Sequence, residues 1–189
     1  ANGKQVAVCP AQRSAMIYAL DPATRTKQLG RAESILREVS GVDLIAQKRD
    51  SGVSHVWTSR GEFEFSRGGK VKDEFGRSWT VEGDIASLAL ERDGNTIFGN
   101  EYPDALHRLQ ASLDCRGSGD LVISAAPGRE FVDWGGVDHQ GAGGHGSLHR
   151  SDTIATLIGV GCGPTPDDAQ KRPWAIRDVA SLVRQQLLA

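Results

Sequence analysis

The sequence predicts an α/β protein in which a small α+β unit is followed by an α/β layer. Three observations support this: a helical pattern between short strands, a set of alternating strands typical of a β-meander, and two wholly apolar stretches flanked by helices. With 39% hydrophobic and 24% charged residues, the chain also has the composition of a soluble globular protein.

The α+β unit is expected to span residues 1–95. Two short strands are predicted at 4–9 and 15–20, and apolar side chains at spacings of three and four predict a helix over 23–39. A strand over 42–47 follows this helix. Polar and apolar residues then alternate in three stretches joined by glycine turns, which predicts the meander. The stretches are 54–59, 62–66 and 78–82, with turns at 67–69 and 75–77.

The α/β layer is expected to span residues 96–189. Apolar positions on one side predict helices over 103–113 and 174–188. Between them, the stretches 120–126 and 153–161 are apolar at nearly every position, as in strands buried on both faces of a parallel or mixed sheet.

Charge and cysteine content exclude several classes of protein. A net charge of −2 provides no overall basic field for nucleic acid or an anionic membrane. The chain has no apolar run long enough to span a bilayer and no signal-peptide layout at its start. The three cysteines are far apart and indicate neither a disulfide framework nor a thiolate zinc site. These features favour a soluble protein and favour the cytoplasm, although no targeting signal in the sequence specifies a compartment.

The candidate chemistry lies in a glycine-rich loop at 135–151, between the two apolar stretches. Residues 135–144 include five glycines, and the loop contains three of the five histidines. Glycine permits close approach of the backbone to a ligand, and a neutral imidazole is a common zinc ligand. The spacing matches no standard zinc motif, and an exposed turn explains the composition as well. The candidate metal ligands are His145 and then His139, His149, Asp138 and Asp152.

Several segments resemble one known family. Asp120-Leu121-Val122-Ile123-Ser124, then Gly144-His145-Gly146-Ser147, then Asp152 and the apolar stretch after it are similar to the C-terminal part of the alkaline phosphatase superfamily. The resemblance is to its type I phosphodiesterase and nucleotide pyrophosphatase branch. Residues 176–180 also resemble the helix start that follows there, and residues 1–95 resemble the small cap inserted before the final strands.

The resemblance implies a hydrolase of phosphate esters with a two-zinc centre, in which His145 is the last histidine ligand. In that family a threonine or serine attacks phosphorus while the metals activate it and stabilise the leaving oxygen. The nucleophile and most metal ligands of the family precede the region present here. The resemblance therefore implies that this chain is the C-terminal half of such an enzyme, with no catalytic nucleophile of its own and an N-terminal half as its partner.

Two other interpretations remain open from the residues alone. The first is that the chain is a non-catalytic binding or scaffold module of the same fold. The second is that it has a self-contained metal site made of His139, His145 and His149. If the strands at 120–126 and 153–161 belong to a larger sheet, the chain alone exposes an edge and an apolar face, and we expect it to self-associate.

Overall fold

The computed structural model of the chain describes residues 5–49, 51–132, 143–161, 163–171 and 173–188. Its described part is a mixed α/β structure built on one mainly antiparallel sheet, which confirms the predicted α+β character. The strands are β1 Val6–Ala11, β2 Ser14–Ala19, β3 Val42–Lys48, β4 Ser54–Thr58, β5 Gly61–Asp73, β6 Ser78–Gly83, β7 Glu91–Asp93, β8 Thr96–Phe98 and β9 Leu121–Ala125. The helices are α1 Arg25–Arg37, α2 Ala105–Asp114, α3 Arg150–Thr153, α4 Pro166–Lys171 and α5 Ile176–Leu188.

The order of strands in the sheet is β1-β2-β9-β3-β4-β5-β8-β7, and β6 pairs with β5. β9 comes late in the sequence but lies between β2 and β3, antiparallel to both. It is buried on both faces, as its composition predicts. The sheet thus joins strands from both sides of residue 95, and the division into units 1–95 and 96–189 stays a prediction.

Helices α1 and α2 cover opposite faces of the sheet. Successive side chains of a strand point to opposite faces, and β3 shows this directly. Its Leu44 packs in a cluster with residues of α2, and its Ile45 packs in a cluster with Leu29 of α1. The sheet is therefore a middle layer, and its strands β9, β3 and β4 have few exposed positions. None of the described helices is long and apolar enough to cross a membrane.

The predicted meander is present, but β5 is one long strand instead of a strand ending before a turn at 67–69. The pairing of β5 with β6 shifts register between Arg67 and Val71, which makes the glycine pair a bulge. Gly69 has a φ of +93°, and a Cβ there would lie 2.5 Å from Thr80 Oγ1. Glycine is required at this position because both the backbone conformation and the space exclude a side chain.

The predicted strand at 153–161 is wrong. Thr153 ends α3, and residues 154–161 form neither strand nor helix. Ile158 and Val160 are 80% and 90% exposed. An apolar run indicates that burial of its side chains would be favourable. A strand also needs a neighbouring strand that takes its backbone hydrogen bonds, and no strand of the described part pairs with residues 154–161. The helix predicted over 174–188 is confirmed as α5, although none of its residues is buried.

Candidate functional site

The segment 144–153, which carries His145, is fixed against the carboxyl end of β9. The Leu148 N–H donates to the buried hydroxyl of Ser124 in β9 at 3.0 Å. Ser147 and Leu148 are buried, whereas His145 is exposed. The segment is thus anchored just after His145, and this histidine stays open to the surroundings.

The two-residue turn between β1 and β2 holds the backbone of His145 on both of its polar groups. The His145 N–H donates to Gln12 Oε1 at 3.1 Å, and the Arg13 N–H donates to the His145 carbonyl at 3.2 Å. Gly146 follows with a φ of +106°, where L side chains are strained. This glycine lets the chain turn inward immediately after the histidine, which is the structural reason for glycine at position 146.

The side chain of Arg13 connects the β1–β2 turn with two other segments, residues 126–129 and the segment that contains Asp152. Its Nε donates to the Arg129 carbonyl at 3.1 Å, its Nη2 donates to the Ala126 carbonyl at 3.2 Å, and its Nη1 forms an ion pair with Asp152. The side chains of Arg13 and Asp152 are 11% and 3% exposed. A guanidinium has its donors in a fixed planar fork, so three acceptors in different directions fix its position and theirs.

Asp152 is also bonded to its own segment. Its Oδ2 accepts from the Ser147 N–H at 2.9 Å, and its Oδ1 accepts from the Ser151 hydroxyl at 3.0 Å. Burial by itself raises the pKa of this carboxyl, but the hydrogen bonds from Ser147 and Ser151 and the charge of Arg13 outweigh burial and lower the pKa below its usual value. Asp152 is thus held as a carboxylate that closes the turn beginning at His145.

Arg108 of α2 supports the same segment from the other side. Its Nη1 donates to the Leu148 carbonyl at 3.0 Å and to Thr153 Oγ1 at 2.9 Å, and its Nη2 reaches the Ser147 carbonyl at 3.4 Å. Burial lowers the pKa of Arg108, but a guanidinium stays charged. A short, mostly irregular segment is therefore held by hydrogen-bonding groups from a hairpin turn, a strand and a helix.

His149 is placed differently from His145. It is the N-cap residue of α3, and its Nδ1 accepts from the Ser151 N–H at 3.2 Å. Its ring lies edge-on to Tyr102, with centroids 6.1 Å apart, and the Tyr102 hydroxyl donates to Asp43 at 2.7 Å. Since Nδ1 serves the helix start, only Nε2 of this ring remains for another ligand.

The structure places three of the candidate ligands on one segment without grouping them as a metal site, and it leaves the other two untested. His145, His149 and Asp152 lie on one segment, while His139 and Asp138 fall outside the described residues. Within the described ranges, no three His, Cys, Asp or Glu side chains form a group that could hold a metal ion. An exposed imidazole on a fixed backbone fits one position of a metal centre, and three further ligands would have to come from other segments.

Gln12 and Arg13 were not predicted from the sequence as part of the site. They are separated from His145 by more than 130 residues, so no local pattern connects them. A signal was nevertheless present, because two-residue hairpin turns favour Asn, Asp and Gly, and a Gln-Arg pair is unusual there. Residues that break a local rule often have another role.

Comparison with protein-family models, with curated proteins and with solved structures finds no match to this chain.

Proposed function

We propose that this chain is the C-terminal portion of a metal-dependent hydrolase of phosphoric esters, and that His145 is one of its metal ligands. The observation that supports this best is the contrast within one segment. His145 is exposed, while its own backbone and the residues after it are held by Gln12, Arg13 and Ser124. A fixed backbone under an exposed ring meets one requirement of a metal ligand, which is a defined position of its main chain.

The chemistry of this proposal divides between this chain and the rest of the enzyme. His145 would supply one ligand to a divalent cation, with zinc the best match for an imidazole donor, and such a cation would supply activation of a nucleophile and neutralisation of charge on the phosphoryl oxygens. The residues of this chain hold the backbone of His145 in place and keep Asp152, on the same segment, ionised. The nucleophile and the remaining ligands belong to an N-terminal half, and the substrate is a phosphodiester or nucleotide pyrophosphate.

The proposal predicts that His145→Ala in the full-length protein removes most of its phosphodiesterase activity. Hydrolysis of bis(p-nitrophenyl) phosphate should fall by about 100-fold or more, because removing a ligand costs at least as much as removing a group that orients one. The zinc content of the purified protein should fall as well. His107→Ala is the matched control, since the side chain of His107 on α2 is not among the groups that hydrogen-bond to segment 144–153 in the described part, and it should leave both values unchanged. A fully active His145→Ala protein would refute the assignment.

A second candidate function is a binding module without catalysis. It is favoured by the exposed apolar stretch 154–160, in which Ile158 and Val160 are among the most exposed apolar residues described. In a binding module, His145→Ala would change neither zinc content nor hydrolysis.

A self-contained metal site of His139, His145 and His149 makes a different prediction. It requires that this chain alone bind zinc stoichiometrically, whereas the proposed function expects weak zinc binding at most by this chain alone.

A further inference from the structure

Helix α5 lies against the rest of the structure without a buried apolar face. None of its residues is buried, and Ile176 at its start is 92% exposed. A helix of 13 residues is too short to be stable in water by itself. Contacts with other segments are therefore needed to keep α5 helical, and burial of apolar surface contributes little to them.

Arg177, in the first turn of α5, makes such contacts. Its Nη1 donates to Asp104 Oδ2 at 2.7 Å, and its guanidinium carbon lies 4.8 Å from the centroid of the Phe75 ring. Asp104 directly precedes α2, and Phe75 lies between β5 and β6. A single side chain thus connects α5 with two other parts of the molecule.

The groups that contact Arg177 are themselves held in place by Arg77. Arg77 forms an ion pair with Asp104, and its Nε donates to Asp73 Oδ2 at 2.7 Å. Its guanidinium carbon lies 4.6 Å from the centroid of the Phe75 ring. The side chain of Asp104 is only 8% exposed. Arg177 therefore contacts a preformed surface made by residues outside α5.

Asp104 is an unusual residue for its position. It is the N-cap of α2 and has a φ of +56°, and its side chain makes no capping hydrogen bond. An aspartate at an N-cap normally accepts from an N–H of the first turn. Here its Oδ1 accepts from Arg77 and its Oδ2 accepts from Arg177. These two arginines, and not the start of α2, account for the carboxylate.

We infer that the contact of Arg177 with Asp104 and Phe75 is an electrostatic anchor for α5, and that α5 detaches and unfolds when this anchor is screened by salt or removed. The Arg177 side chain is 40% exposed, and a cavity of about 210 Å³ lies beside it, lined also by Phe75 and Arg77. Water and ions therefore reach the contact. Salt weakens attraction between exposed charges, whereas apolar burial does not depend on charge screening.

Hydrogen–deuterium exchange in the full-length protein tests the anchor, because α5 exchanges its amide hydrogens only when it is not helical. In peptides from 179–188, Arg177→Ala should exchange about 10-fold faster than the wild type, since it loses both the ion pair and the cation–π contact. Raising KCl from about 0.05 M to about 0.5 M should speed exchange several-fold in the wild type and should not speed it further in Arg177→Ala.

Arg184→Ala is the matched control. Arg184 lies on the same helix and forms no ion pair with another described residue. Both substitutions replace arginine with the better helix former alanine, so helix propensity alone cannot speed exchange in either. Peptides from β9 should exchange at the wild-type rate in both variants, which separates detachment of α5 from global unfolding.

Asp104→Asn tests the anchor from the other side. Asparagine tolerates a positive φ as aspartate does, so this variant removes the charge and keeps the turn. It should speed exchange in α5 as Arg177→Ala does, and the double variant should be no faster than Arg177→Ala.

Three results would overturn the anchor: exchange in α5 that is as slow in Arg177→Ala as in Arg184→Ala, wild-type exchange that is independent of salt, or wild-type exchange in Asp104→Asn. Faster exchange in β9 of Arg177→Ala would also contradict it, since the residue would then stabilise the whole fold instead of α5.

Discussion

At the scale of single residues, the environment of Asp152 shows how the candidate site is held in place. Its side chain is 3% exposed and meets Arg13, the Ser147 N–H and the Ser151 hydroxyl. A buried charge is tolerated only when it is paired and hydrogen-bonded, so each of these partners depends on the others. The carboxylate is therefore part of the support for His145, and its role as a metal ligand stays a prediction.

The lowered pKa of Asp152 predicts how stability changes in acid. A carboxyl whose pKa is lower in the folded state contributes stability above its unfolded value of 3.8, and loses that contribution as the pH falls through the folded pKa. Asp152→Asn should lower the free energy of unfolding by about 3 kcal/mol at pH 7, since it leaves Arg13 buried without its counter-charge. The additional loss between pH 5 and pH 2 should be smaller than in the wild type.

Urea unfolding followed over this pH range measures both effects. Asp93→Asn, at an exposed position of the edge strand β7, is the matched control and should behave as the wild type does. If Asp152→Asn has the same stability and pH dependence as Asp93→Asn, the account of the buried ion pair is wrong.

At the scale of elements, local patterns predicted most of the secondary structure, and the main errors concern pairing. The spacing of apolar residues within short stretches of sequence predicted the helices α1, α2 and α5 and the strands β1 to β4. The stretch 153–161 is as apolar as β9, but β9 has β2 and β3 as neighbours and 154–161 has no strand partner among the described residues. Composition indicates a preference for burial, while pairing depends on distant parts of the chain.

The approach of β9 to β2 gives a prediction at this scale. Gly119 lies just before β9, and a Cβ there would lie 2.8 Å from Met16 Cβ and 2.9 Å from Ile17 N. Gly119→Ala should therefore destabilise the protein by about 1–3 kcal/mol, because the strands must separate to admit the methyl group. At Gly117, two residues earlier, a Cβ would meet nothing within 4 Å.

Gly117→Ala is thus the matched control and should change the free energy of unfolding by less than about 0.5 kcal/mol. Thermal and urea unfolding of the two variants make the comparison. Equal stabilities for the two variants would show that β2 and β9 are not packed as closely as the structure has them.

At the scale of the whole molecule, the site lies where distant parts of the chain meet. The β1–β2 turn, the end of β9 and the segment 144–153 contact one another, and the Arg13–Asp152 pair joins residues 139 apart in sequence. The glycine-rich loop was visible in the sequence as a candidate, but its support was not, because contacts at such separation leave no periodic pattern. The exposed stretch 154–160 faces outward from this assembly, and we propose that it is where the chain alone self-associates.

Anomalous diffraction at the zinc absorption edge, from crystals of the full-length protein, decides whether His145 is a metal ligand. We expect an anomalous peak about 2.0–2.1 Å from a ring nitrogen of His145, with segment 144–153 held by Gln12, Arg13 and Ser124. A map with the His145 ring turned into bulk solvent, or with zinc bound only at residues far from this segment, would contradict this expectation.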